Sequence, residues 1–241
     1  MKNLYILTGC SKGLGKALLD TLLEDEENRV VGIARSAMEV RERFVHLQLD
    51  LGNTLALIKS LSDIFPDGDF DKIVLINNAG WIGEIAPLGK LEAEGIAKIH
   101  AINVVAPAIL INEFVRKYAK RKVEKLVVNI SSGAAVKDID GWSGYSSSKS
   151  ALNRISSVAQ VESELKGYGI RYFALAPGIV DTPMQEDIRS AKLEDFSGLE
   201  TFKSFKSNNE LSSPEQVAKK VVYLIEHTDK FNGVIHDVRK F

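Results

Sequence analysis

The chain is poor in cysteine, in net charge and in long apolar runs. Cys10 is the only cysteine among 241 residues, so no internal disulfide can form and a zinc site built on several cysteines is excluded. That usage fits a reducing compartment, and the expected location is cytoplasmic. Thirty-one basic against 32 acidic residues leave a formal charge of -1, which gives no electrostatic case for nucleic acid or an anionic membrane as partner. The short basic cluster Arg116 to Lys125 reads as a solvated helix end. No apolar run approaches the ~18 residues of a membrane span, and the N-terminus enters a short apolar stretch without a signal-peptide pattern. A soluble protein with no membrane partner is expected. Repeats, low-complexity tracts and linkers are also missing, so residues 1–241 are expected to form one domain.

What is present is alternation. Hydrophobic residues make up 45% of the chain, enough for a sizeable core. Leu4–Thr8 is a short buried run, and glycines then lead into a helical pattern from Lys16 to Glu24. Further strands are expected at 29–34, 44–49, 72–77, 125–131, 170–176 and 233–238, with helices at 55–65, 91–120 and 145–166. This alternation predicts an α/β fold, a doubly wound, Rossmann-type parallel sheet of about seven strands with helices on both faces. Residues 183–212 are polar with scattered Phe196, Leu199, Phe202 and Phe205, lack a strand, and read as a lid. Ser213, Pro214 and Gln216 spell a capping box that opens a last helix.

Gly9, Gly13 and Gly15 lie between a strand and a helix, where glycines let backbone amides and a helix N-terminus approach a pyrophosphate. Their Gly-x-x-x-Gly-x-Gly order departs from the commoner Gly-x-Gly-x-x-Gly fingerprint. About twenty residues on, where an acidic residue would bind the ribose of NAD, stands Arg35. An arginine there suits a 2′-phosphate, Lys12 can reach the same group, and NADP(H) is the expected cofactor. Farther along, Tyr145 and Lys149 share one helix face at i, i+4, with Ser132 thirteen residues upstream at a strand end. A phenol beside a fixed cation is a proton-transfer pair, the cation being expected to pull the phenol toward neutral pKa. Ser132 can hydrogen-bond a substrate oxygen. A lone Tyr-x-x-x-Lys is commonly a surface pair, so the motif gains meaning only from its company.

That company resembles the short-chain dehydrogenase/reductase family. The resemblance covers nearly the whole chain and rests on Thr8-Gly9-x-x-x-Gly13-x-Gly15, Asp50-Leu51, Asn77-Asn78-Ala79-Gly80, Asn103, Ser132, Tyr145-x-x-x-Lys149 and Pro177-Gly178-Ile179-Val180-Asp181-Thr182. It implies that Ser132, Tyr145, Lys149 and Asn103 are catalytic, Asn103 by fixing a water that links Lys149 to solvent. It further implies a cofactor held by Gly9, Ser11, Lys12, Gly13, Leu14, Gly15, Arg35, Asp50, Leu51, Asn78, Ala79, Gly80, Tyr145, Lys149, Val180 and Thr182. No metal is required. Within the family the pattern is similar to sepiapterin reductases and bacterial benzil reductases, through Asn129 to Gly133, Gly141-Trp142-x-x-Tyr145 and Ala176 to Gln185. That implies carbonyl reduction of a small aromatic or heteroaromatic ketone or 1,2-diketone, with Trp142 and Met184 near the substrate. Asp237 would anchor a pterin, or is simply a polar residue on a final strand. A homodimer or homotetramer is expected by the same analogy. An NAD-linked alcohol or sugar dehydrogenase, a 3-oxoacyl carrier-protein reductase and a non-catalytic nucleotide binder remain alternatives.

Overall fold

The computed structural model describes residues 2–241. Its strands are β1 (Asn3–Thr8), β2 (Asn28–Ala34), β3 (Phe44–Gln48), β4 (Lys72–Asn77), β5 (Glu124–Ile130), β6 (Ile170–Ala176) and β7 (Ile235–Asp237). They form one parallel sheet in the order β3-β2-β1-β4-β5-β6-β7. The chain direction across the sheet reverses between β1 and β4, and in such sheets ligands bind beyond the carboxyl ends of the strands at that point.

Side chains alternate between the two faces, as the period of two requires. Tyr5, Leu7, Val74, Ile76 and Val128 share a cluster with Leu14, Leu18 and Leu22 of α1 (Gly13–Leu23) and with Val217, Val221 and Leu224 of α9 (Pro214–Glu226). Leu4, Ile6, Ile73, Leu75 and Val127 are covered on the other face by Leu110, Phe114 and Tyr118 of α5 (Ala106–Tyr118) and Ala159 of α6 (Ser143–Lys166). With both faces covered, the strands read as continuous apolar runs. Each fully buried leucine contributes about 1.5–3 kcal/mol.

The helix ends follow their sequence signals. Ser213 accepts from the Gln216 amide at 3.2 Å and the Gln216 side chain accepts from the Ser213 amide at 3.0 Å, the reciprocal box expected there. Gly167 closes α6 in the left-handed region at φ 64°.

Four expectations are corrected. The helix expected over 55–65 is two short ones, α2 (Thr54–Lys59) and α3 (Leu61–Ile64), parted at Ser60, whose hydroxyl donates to the Ala56 carbonyl. The helix expected over 91–120 consists of α4 (Ala93–His100) and α5 joined by a widened π turn, Ala101–Val105. By length and composition the run 93–118 is apolar enough to cross a membrane, contrary to the sequence reading. In this fold Leu110, Phe114 and Tyr118 on it are fully buried, so it serves as a core helix. The basic cluster after it is not merely solvated. Lys117 donates to the Phe65 carbonyl, Arg121 to that of Gly68, and the buried Lys125 to the Arg121 carbonyl, so these cations satisfy backbone oxygens at a helix end.

Candidate active site

β1 delivers the chain to a turn that has room for glycine alone. Gly9 sits at φ 71°, and a Cβ on Gly15 would lie 2.0 Å from the Gly9 carbonyl oxygen. The turn is stitched to the segment after β4. Thr8 Oγ1 accepts from the amides of Asn78 and Ala79, both at 3.0 Å, while Asn78 Nδ2 donates to the carbonyls of Thr8 and Gly9 at 3.0 and 3.3 Å. Helix α1 begins with no side chain capping its first amides, which leaves donors at the positive end of its dipole for an anion. A cavity of about 800 Å³ opens there and runs to Tyr145 and Lys149.

The cavity brings together every cofactor residue expected from the sequence: Gly9 and Ser11 to Gly15 after β1, Arg35 after β2, Asp50 and Leu51 after β3, Asn78 to Gly80 after β4, and Val180 and Thr182 after β6. Arg35 and Lys12 are exposed and form no ion pair among the described residues, so both cations are available to a phosphate. Asp50 accepts from the Gly52 amide at 2.9 Å, which fixes the loop after β3. Uncapped amides and a glycine turn closed to any Cβ fit the pyrophosphate of a dinucleotide.

Ser132 follows β5, its hydroxyl accepts from the Ala134 amide at 3.1 Å, and it lines the cavity together with Tyr145. Tyr145 and Lys149 lie one turn apart on α6, both buried. Lys149 Nζ donates to the Ile130 carbonyl at 2.7 Å and sits 5.7 Å from the centre of the Tyr145 ring. Here the electrostatic expectation is corrected. Burial pushes the phenol up to about 12, with only a smaller downward pull from Ser132, and burial also pulls the Lys149 ammonium down to about 8. Desolvation therefore outweighs the neighbouring cation.

Asn103 lies in the π turn, a feature frequent at functional sites. Its Oδ1 accepts from the Trp81 amide at 2.9 Å, and its Nδ2 donates to the Trp81 carbonyl at 2.9 Å and to Ser148 Oγ at 3.0 Å. It has no hydrogen bond to Lys149 among the described residues; its side chain ties the loop after β4 to α6.

Beyond Tyr145 the wall turns aromatic. Trp142 meets Tyr145 edge-on at 5.6 Å between ring centres and lies 5.5 Å from Phe196 and 5.4 Å from Phe202. Phe205 stands 5.6 Å from Phe202. Most of these groups come from the segment expected as a lid, which folds into α7 (Pro183–Arg189) and α8 (Leu199–Ser207). The lid is fastened: Asp140 accepts from the Ser197 amide at 2.8 Å and its hydroxyl at 2.9 Å, and Lys90 pairs with Asp195 at 2.7 Å. Met184 lines the cavity; Asp237 does not. The Asp237 carboxylate is taken up by Arg239, with Nη2 at 2.5 Å and Nε at 2.9 Å, the arrangement of a polar residue at a strand end, the second of the two readings of Asp237.

A family model described as short chain dehydrogenase matches residues 3–193. The chain belongs to that family. As a short chain dehydrogenase it is an oxidoreductase working with a nicotinamide cofactor. Two curated relatives are both named benzil reductase ((S)-benzoin forming). The one from Bacillus cereus is 37% identical over 238 residues, covering 94% of each chain, and the one from Bacillus subtilis 33% identical over 242 residues, covering 99% of each. Among solved structures, a short chain dehydrogenase/reductase from Saccharomyces cerevisiae superposes with a TM-score of 0.85 at 26% identity, over 99% of this chain and 96% of that one.

Sequence reasoning missed several residues of this dehydrogenase's cavity, among them Trp81, Ile82, Ile139, Gln185 and Arg239. The apolar ones carry no chemical signal and come from loops. Gln185 stood inside a quoted motif without a role, and Arg239 is brought in only by the turn after β7.

Proposed function

We propose that the protein is an NADPH-dependent carbonyl reductase acting on compact aromatic ketones and 1,2-diketones. The observation that carries this reading is the placement of the Ser132–Tyr145 pair at the foot of an aromatic wall formed by Trp142, Phe196 and Phe202. A reduced nicotinamide dinucleotide, held by the glycine turn, Asn78 to Gly80, Val180 and Thr182, would supply the hydride for the carbonyl carbon. Ser132 and Tyr145 hold the carbonyl oxygen, and Tyr145 gives it a proton as charge develops there. A phenol raised to about 12 stays protonated at neutral pH, which suits the reductive direction. Lys149 presents its ammonium at the strand end, beside Gly80, where it can hold the nicotinamide ribose. The unpaired Lys12 and Arg35 support NADPH over NADH.

Aromatic rings favour flat aryl substrates through stacking. The names of the two bacterial relatives support a diketone such as benzil, and the engagement of Asp237 by Arg239 argues against a pterin, whose amino-pyrimidine edge needs a free buried carboxylate. Assembly as a homodimer or homotetramer in the cytoplasm belongs to the same reading, supported by exposed Val158, Val161 and Leu165 along α6. The test is a set of carbonyls, benzil and sepiapterin included, followed with NADPH and with NADH by loss of reduced-cofactor absorbance. Benzil reduced to benzoin with NADPH preferred is the expected result; inactivity toward every aromatic carbonyl overturns the substrate class.

A further inference from the structure

Two buried polar atoms in the cavity wall have no hydrogen-bond partner: Trp142 Nε1 and Gln185 Oε1. Buried polar groups in folded proteins are nearly always paired, so each marks a place where a partner is missing from the protein itself. The Trp142 ring is clamped among Tyr145, Phe196 and Phe202 and offers one fixed donor. Gln185 differs. Its residue is 9% exposed, and its carboxamide makes no hydrogen bond among the described residues. The backbone beneath it is fixed, because the Gln185 amide donates to the Thr182 carbonyl at 2.9 Å in the first turn of α7.

Resting on the diketone reading above, we propose that Gln185 is a specificity-determining residue that binds the second oxygen of a vicinal dicarbonyl while Ser132 and Tyr145 hold the first. Thr182 and Met184, its neighbours in the chain, line the same cavity, which places Gln185 between the cofactor end and the aromatic wall. A half-turn of the terminal carboxamide exchanges Oε1 and Nε2, so the side chain can donate to a ketone oxygen or accept from a hydroxyl. The second oxygen is a ketone both in the diketone and in the hydroxy-ketone made from it, so the Nε2 donor is the end of the carboxamide that this role uses. A buried amide that the protein leaves without a partner also discriminates: a ligand that lacks the second oxygen leaves it unpaired. Holding both oxygens fixes which face of the reacting carbon meets the hydride, so one enantiomer of the product is expected.

The test compares benzil with deoxybenzoin, which keeps both phenyl rings and replaces one carbonyl by a methylene. Gln185→Met preserves length and removes the amide; Gln185→Glu preserves shape and removes the donor. The ratio of kcat/KM for the two ketones, measured on one preparation, does not depend on the fraction of folded enzyme. It should fall about tenfold in each variant, the loss of one hydrogen bond, with the change in the benzil KM and with lower enantiomeric excess in the benzoin formed. An unaltered ratio and unaltered enantiomeric excess overturn the inference while leaving the reductase reading in place. A parent enzyme that reduces neither ketone removes the diketone reading itself, and this inference with it.

Discussion

Lys149 Nζ donates to the carbonyl of Ile130 across 2.7 Å, tying the second turn of the catalytic helix to the last residue of β5. The ammonium is therefore held by a neutral oxygen in a buried place, next to Gly80, whose Cβ would come within 3.5 Å of it. A cation so placed is poised to gain from any ligand oxygen that arrives, and it is costly to keep charged until one does.

Stability without cofactor should record that cost. Burial lowers Lys149 from 10.5 to about 8, so between these values the unfolded chain binds the extra proton and the fold does not. Stability then rises with pH across that window, and below about pH 8, where both states are protonated, the contribution is flat. Lys149→Met removes the group. The expected result is a parent-minus-variant stability difference, from denaturant unfolding, that climbs between pH 8 and 10.5; a difference independent of pH contradicts it.

Tyr145→Phe keeps the ring against Trp142 and removes the proton donor. Turnover of benzil should drop at least ~100-fold, the scale of a lost general acid, with NADPH affinity by fluorescence titration little altered. Near-parental turnover would mean that the proton comes from elsewhere.

Arg35→Asp exchanges a phosphate partner for a ribose-hydroxyl partner. The KM for NADPH should rise and that for NADH fall, with Lys12 retaining part of the phosphate binding. A parent that already prefers NADH would refute the cofactor assignment.

Asp237→Asn disrupts a pair that is 17% exposed on the aspartate side and 58% on the arginine side. Such a pair contributes at most about 1 kcal/mol, so a small loss in melting temperature is expected. Any loss of activity should be similar for benzil and sepiapterin. A selective collapse on sepiapterin would restore Asp237 as a substrate anchor.

The sheet was legible because strands covered on both faces are unbroken apolar runs; β4 and β6 fall on the predicted residues. The cofactor cradle was legible because glycine turns and strand-end residues have fixed places in such a sheet. The widened turn at Asn103 was not, since side-chain periodicity barely records one added backbone residue in a helix. The partner of Asp237 was not legible because residues two apart seldom pair, yet the turn beyond β7 folds Arg239 back onto it. The fate of Tyr145 misled for another reason: spacing reveals a neighbouring cation but not how much water both groups lose.

The fastening of residues 195–197 to Asp140 and Lys90 bears on timing. A product that leaves past this edge has three polar contacts to part on its way out. A deuterium-labelled cofactor separates that opening from the transfer: a slowing of the first catalytic cycle that vanishes over many cycles marks the opening as the step that sets turnover, and a slowing that persists marks the transfer.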